Sequence, residues 1–282
     1  MDSRFASYSF LFYVLLVSQC THTNSARRIT ENINKEVYDH LRIVNKHDDP
    51  STLMDPSLNV FFTLNDLRIG NSIAIYFSTK HPSLYPHLLP REESDSIPFS
   101  LSQLPNILEF FSFPKHSPQA KAIEYTLAQC ELEALKGETK FCATSLESML
   151  DSTRGVFRLD AKLEVLTTKY LSSHAIPLQN YTVLEEPNAT LAPKMVACHN
   201  MPYPYAVYYC HVQESDHKVF EILVGGENGE RVRAIGVCHM DTSQWDPNHV
   251  AFRVLKTWPG RSSVCHFFPA NNLIWVASPM II

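Results

Sequence analysis

Cys198-His199, Cys210-His211, Cys238-His239 and Cys265-His266 set a thiol beside an imidazole four times in the last third of the chain, at intervals of 10, 26 and 25 residues. Both groups can ligate a metal, and paired thiols can close a disulfide. Neighbouring residues on a β-strand point to opposite faces, so a Cys-His pair sends sulfur one way and nitrogen the other. Four cysteines on a buried face can then form two disulfides, while His199, His211, His239 and His266 converge on a metal from the other face. Imidazoles without thiolate suit copper(II), through its tetragonal nitrogen geometry and its rank among divalent ions. Two sites of two histidines each, completed by a group such as His249, satisfy the same pattern. Two rival arrangements are a zinc site shared by Cys and His, whose spacing is wrong for a finger, and histidines that merely neighbour disulfides.

The compartment bears on that choice. Arg4, the apolar run Phe10 to Val17 and the small-residue stretch Ser18-Gln19-Cys20 predict a secretory signal peptide over residues 1–22. Its eight apolar residues are too few to span a bilayer. Once the signal is removed, Cys130, Cys142, Cys198, Cys210, Cys238 and Cys265 remain. In an oxidising lumen an even set of six reads as up to three disulfides, with 15 pairings open. The sequons at Asn180 and Asn188 offer glycosylation sites on the same route. A net charge of -5, with no basic face, excludes nucleic acid as partner.

These residues must be positioned by a globular domain. Residues 23–59 form a short polar leader without repeats, and the domain is expected over 60–282. The segment from Val60 to Phe77 reads as two strands joined by a tight turn around Gly70. Ser117 and Pro118 open a helix that Gly137 would end, and Thr144 with Glu147 has capping-box spacing for a second helix stopped at Gly155. A Cys130–Cys142 bridge would pin these two helices, stabilising by about 3 kcal/mol in the chain-entropy model. Beyond Phe157 apolar residues alternate with polar ones in stretches that include "HVAFRVLKTW", and Asn228-Gly229 marks a hairpin. The fold class is therefore α+β: a short helical N-terminal part followed by a β-rich, mostly antiparallel, disulfide-bonded domain.

The fourfold dipeptide at these spacings resembles the signature of the plant BURP domain. "LPREESDSIPFS", "CATSLESML", "YPYAVYYCH", "CHMDTSQWDPNHVAFRVLK" and "VCHFFP" resemble its supporting motifs, over roughly residues 60 to 282. The short leader, "FFTLNDLRIG" and "MPYPYAVYYCH" are similar to the unconventional seed protein and BNM2-like branch. That resemblance implies a secreted or vacuolar protein of seed development or stress response, in the protein storage vacuole or the apoplast and cell wall. Some relatives are copper-dependent peptide cyclases that oxidatively crosslink Tyr or Trp of a peptide substrate, and the four histidines would then hold the copper. The leader here holds one tyrosine, Tyr38, and no tryptophan, which disfavours a cyclase acting on itself. A third possibility is a noncatalytic cell-wall protein of the polygalacturonase-subunit type, binding wall polysaccharide or polygalacturonase. The sequence contains no nucleophile elbow, no His-Glu-x-x-His pair and no phosphate-binding glycine loop, so it names no catalytic residue.

Overall fold

Alternation of apolar and polar residues builds most of the domain as antiparallel sheet. A computed structural model describes residues 60–77, 85–134, 137–157, 162–172, 178–190, 194–213 and 216–277. The expected signal peptide and leader lie outside the described residues.

The strands are β1 (Phe61–Phe62), β2 (Ser72–Tyr76), β3 (Glu138–Ala143), β4 (Leu163–Leu166), β5 (Lys169–Tyr170), β6 (Leu178–Val183) and β7 (Asn188–Thr190). There follow β8 (Met195–Met201), β9 (Val207–Gln213), β10 (His217–Gly226), β11 (Arg231–His239), β12 (Val264–Phe268) and β13 (Leu273–Ala277). One sheet runs β1-β12-β11-β10-β6-β2, with β5 beside β11 and β7 beside β10. The other runs β3-β9-β8-β13-β4.

The sheets face one another across an apolar layer. Met195, Ala197, Ile274 and Val276 come from the smaller sheet, and Val219, Ile235, Val237 and Phe268 from the larger. At roughly 1.5–3 kcal/mol for each large side chain fully buried, this layer fixes how the sheets are placed. The outer faces are covered too. Phe62, Phe77 and Tyr181 cover the larger sheet around Cys238 and Cys265. Met149, from the helix Leu146–Phe157, packs with Cys198, Cys210 and Trp275 on the smaller. A Cβ on Gly236 would stand 3.0 Å from Phe62 Cζ, so glycine is what lets that ring lie flat on β11.

Three disulfides form: Cys130–Cys142, Cys198–Cys210 and Cys238–Cys265. The first ties the helix Pro118–Glu131 to β3 rather than to a second helix, because Cys142 is already on the strand. Ser117 caps that helix as expected, accepting from the Ala120 amide at 3.1 Å, but the helix ends at Glu131, before Gly137. The next helix is capped one residue later than expected, by reciprocal bonds of Ser145 and Ser148, and Gly155 lies inside it. β1 and β2 do not form a hairpin; β1 pairs with β12 and β2 with β6, since a 3-10 turn at Leu64–Asp66 carries the chain from one sheet edge to the other. Within "HVAFRVLKTW", Val250–Leu255 is helix, not strand. Its alternating residues also present a helical face, and Ala251 and Phe252 bury it against Val264 and Trp245.

Replacing Cys238 and Cys265 together by serine should lower stability by about 3–4 kcal/mol, the chain entropy restored by opening a 27-residue link. Urea unfolding checks this: the midpoint should fall while far-ultraviolet dichroism keeps its β signature, and an unchanged midpoint would show that the bridge is not what braces β11 to β12.

Candidate functional site

Register decides where the imidazoles go. Cys198 lies directly opposite Cys210, and Cys238 directly opposite Cys265. In an antiparallel pair the residue after each cysteine then lies diagonal to its counterpart: His199 is opposite Tyr209, and His211 opposite Ala197. His239 is likewise opposite Val264, and His266 opposite Val237. Diagonal neighbours share a face at about 7–8 Å, within reach of an imidazole. His199 Nε2 and His211 Nε2 close to 3.3 Å. The rings of His239 and His266 stack with centroids 5.6 Å apart and planes 16° from parallel.

All four rings line one cavity between the sheets, with Met195, Ala197, Val237, Phe268 and a fifth histidine, His217. The cavity measures about 30 Å³, room for an ion or for one or two waters. Phe268 divides it. Its ring stacks on His199 at 5.1 Å and on His266 at 5.0 Å, so the four imidazoles form two facing pairs, one from each sheet. Among the described residues no three His, Cys, Asp or Glu are gathered closely enough, as they stand, to share one ion. The pairs therefore suit two positions of two nitrogens each better than a single four-nitrogen site.

The sulfurs lie on the far faces of both sheets, oxidised and buried, which leaves no thiolate for a zinc site shared by Cys and His. The imidazole face is enclosed as well, with His239 buried and His199, His211 and His266 half-buried, because each sheet is covered on both sides. His249 stands apart from the cavity lining. Its Nδ1 accepts from the Ala251 amide at 3.3 Å to cap the helix Val250–Leu255, and its ring lies 4.8 Å from Trp245, which in turn lies 4.9 Å from His239. Tyr203 and Tyr205 are core residues, whereas Tyr209 neighbours His211 at 5.6 Å.

Burial sets the protonation of the site. Desolvation, reinforced by the neighbouring imidazoles, pushes His199 well below its ordinary value, His239 down to about 3 and His266 down to about 4. These rings are neutral at pH 7, the form that can bind a metal. Two polar groups hold the first pair from behind. His211 Nδ1 lies 3.0 Å from Glu138 Oε1, a polar contact off the ideal hydrogen-bond line, with the carboxylate largely buried. His199 Nδ1 lies 3.1 Å from Asn272 Nδ2. The 3.3 Å between the Nε2 atoms is about the separation of two ligands bonded at roughly 2.0–2.1 Å around a tetrahedral ion. The pair, with anchors behind it, fits a metal.

Sequence reasoning missed His217, Glu138 and Asn272. His217 follows no cysteine, but it sits on β10 directly opposite His239. Glu138 is carried next to β9 by β3, and Asn272 lies just ahead of β13. Their roles arise from strand pairing rather than from any local pattern. The two sequon asparagines, Asn180 and Asn188, are exposed, and Asn180 Nδ2 donates to Glu227 Oε1 at 2.8 Å. No helix among the described residues is long and apolar enough to cross a membrane.

Residues 60–277 match the family model described as BURP domain. The chain is 44% identical over 277 residues to the BURP domain protein USPL1 of Arabidopsis thaliana, an alignment covering 96% of this chain and 97% of that protein. It is 46% identical over 228 residues to the BURP domain-containing protein BNM2A of Brassica napus, covering 79% and 81%. With the BURP domain protein RD22 of Arabidopsis thaliana it shares 36% over 234 residues, covering 81% and 57%.

The depressed histidines predict an acid-labile fold. Unfolded imidazoles take up protons near pH 6.5, whereas the folded ones refuse them until about pH 3 to 4. Metal-free protein should hold its full stability above pH 6.5 and lose it as the pH falls toward 4, by up to about 1.4 kcal/mol per pH unit for each imidazole. Urea midpoints measured between pH 7.5 and 4.5 check this; a flat profile would contradict it.

Proposed function

Because the chain belongs to the BURP domain family, we propose that it is a disulfide-braced plant protein of the secretory route whose histidine cavity binds copper, acting in seed development or stress response. The observation that carries this reading is the convergence of His199, His211, His239 and His266 on one small cavity, with every motif sulfur turned away from it. An all-imidazole donor set free of thiolate ranks copper(II) above zinc. Bound there, copper would supply one-electron redox chemistry. His211 and His199 would hold one ion and His239 and His266 a second, with His217 lining the same space.

The size of the cavity favours binding over the cyclase alternative. About 30 Å³ accepts an ion and its water but not the Tyr or Trp side chain of a peptide substrate. The other alternative, a noncatalytic wall protein that binds polysaccharide or polygalacturonase, predicts wall retention and no redox metal. Delivery to storage vacuole or apoplast agrees with three disulfides and with exposed sequons at Asn180 and Asn188.

Purified protein loaded with copper(II) should give an axial electron paramagnetic resonance signal with nitrogen hyperfine splitting. His211→Ala and His239→Ala should each weaken copper binding at least tenfold. A folded wild-type protein that takes up no copper would overturn the site. Glycosylation is checked separately: protein secreted from plant cells should lose mass on deglycosylation, and Asn188→Gln should remove one glycan's share of that loss.

A further inference from the structure

The hydrogen bonds behind the first histidine pair are not symmetric. The backbone N–H of Asn200 can only donate, and it meets Asn272 Oδ1 at 3.0 Å. That contact fixes which end of the Asn272 amide is oxygen. The other end, an NH2 group without a lone pair, stands 3.1 Å from His199 Nδ1. His199 Nδ1 must therefore accept, and a neutral ring that accepts at Nδ1 carries its proton on Nε2. Across the gap His211 is arranged the opposite way. Its Nδ1 faces the Glu138 carboxylate at 3.0 Å, which favours the proton there and leaves its Nε2 lone pair open. The 3.3 Å contact is then a single N–H···N interaction from His199 to His211. All four groups are oriented one way, from Asn272 through His199 and His211 to Glu138.

We infer that Asn272 is a positioning residue that locks His199 in the Nε2–H tautomer, making His211 the ready ligand of this pair and His199 a gated one. The tautomer stands on hydrogen-bond direction alone; the consequence for ligation rests on the copper reading above. An ion entering the pair finds an unprotonated Nε2 on His211, whose lone pair it takes over from the His199 N–H. His199 offers one only after its Nε2 proton leaves and the Asn272 amide gives way. A carboxylate of the same shape would remove the gate, because Asp at 272 could accept from the Asn200 amide with one oxygen and from His199 Nδ1–H with the other.

Long-range nitrogen–proton correlation NMR on 15N-labelled, metal-free protein reads the tautomers directly. Wild type should show His199 protonated at Nε2 and His211 at Nδ1, and Asn272→Asp should move the His199 proton to Nδ1. His199 already protonated at Nδ1 in wild type, or a pattern unchanged by Asn272→Asp in a protein of native dichroism, overturns the inference. Copper titration of the same two proteins then tests the gate: Asn272→Asp should bind the first ion about tenfold more tightly, in line with what supporting residues contribute to metal affinity. Equal affinities would remove the gate. A wild type that binds no copper but shows the expected tautomers would defeat the copper proposal and leave the tautomer lock standing.

Discussion

Cross-strand register is the constraint on which this architecture depends. With each motif cysteine directly opposite its partner, the next residue on either strand has no freedom: it lies diagonal to its counterpart on the opposite face of the sheet. One covalent bond per pair thus aligns two imidazoles. A register slip of one residue would turn the sulfurs into the inter-sheet space and the rings out of it. The bridge forbids that slip. The Cys-His dipeptide accordingly acts as a geometric unit, bracing with its first residue and presenting with its second.

Covering both faces of each sheet has an energetic consequence. Imidazoles enclosed between two sheets lose water, and desolvation with the neighbouring rings keeps His199, His239 and His266 neutral bases. Such a cluster is a poor place for a peptide chain and a good one for a cation. Disulfides and the apolar layer around Phe268, Val237 and Ala197 hold the rings in this costly environment. The site is maintained by the fold around it, and its own contacts contribute little.

Much of this was legible in the residues. Strand alternation placed sulfur and nitrogen on different faces, and the Asn228-Gly229 turn and the Ser117 cap lie where their chemistry puts them. The illegible parts share one cause: they depend on how strands pair rather than on what a segment contains. Read as a two-residue turn, Asn228-Gly229 would set Lys218 opposite His239. The actual loop is one residue longer, with Gly229 at φ +84° and the Gly226 amide bonded to the Glu230 carbonyl at 2.8 Å. That single residue shifts the ladder and brings His217 opposite His239. Glu138 and Asn272 were invisible for the same reason, since each reaches its histidine from a neighbouring strand or its approach. The segment Val250–Leu255 misled because its apolar positions fit either period, and burial against Trp245 and Val264 chose the helix.

The two histidine pairs belong to different sheets, and among the described residues no disulfide between those sheets sets their distance. Cys198–Cys210 lies within one sheet and Cys238–Cys265 within the other, so neither bridge spans the cavity. What sets the distance is the side-chain layer they share. Phe268 matters most in it, since its ring rests on His199 from one sheet and on His266 from its own strand. The phenyl ring lies between the pairs, which still share one cavity and influence each other's protonation across it. The first pair has polar anchors on both its rings, Asn272 and Glu138, while the second has His217 and Trp245 beside His239. Two unlike pairs held apart by an aromatic spacer can differ in affinity and in redox behaviour without any change in the repeated dipeptide, and the difference resides in residues the motif does not contain.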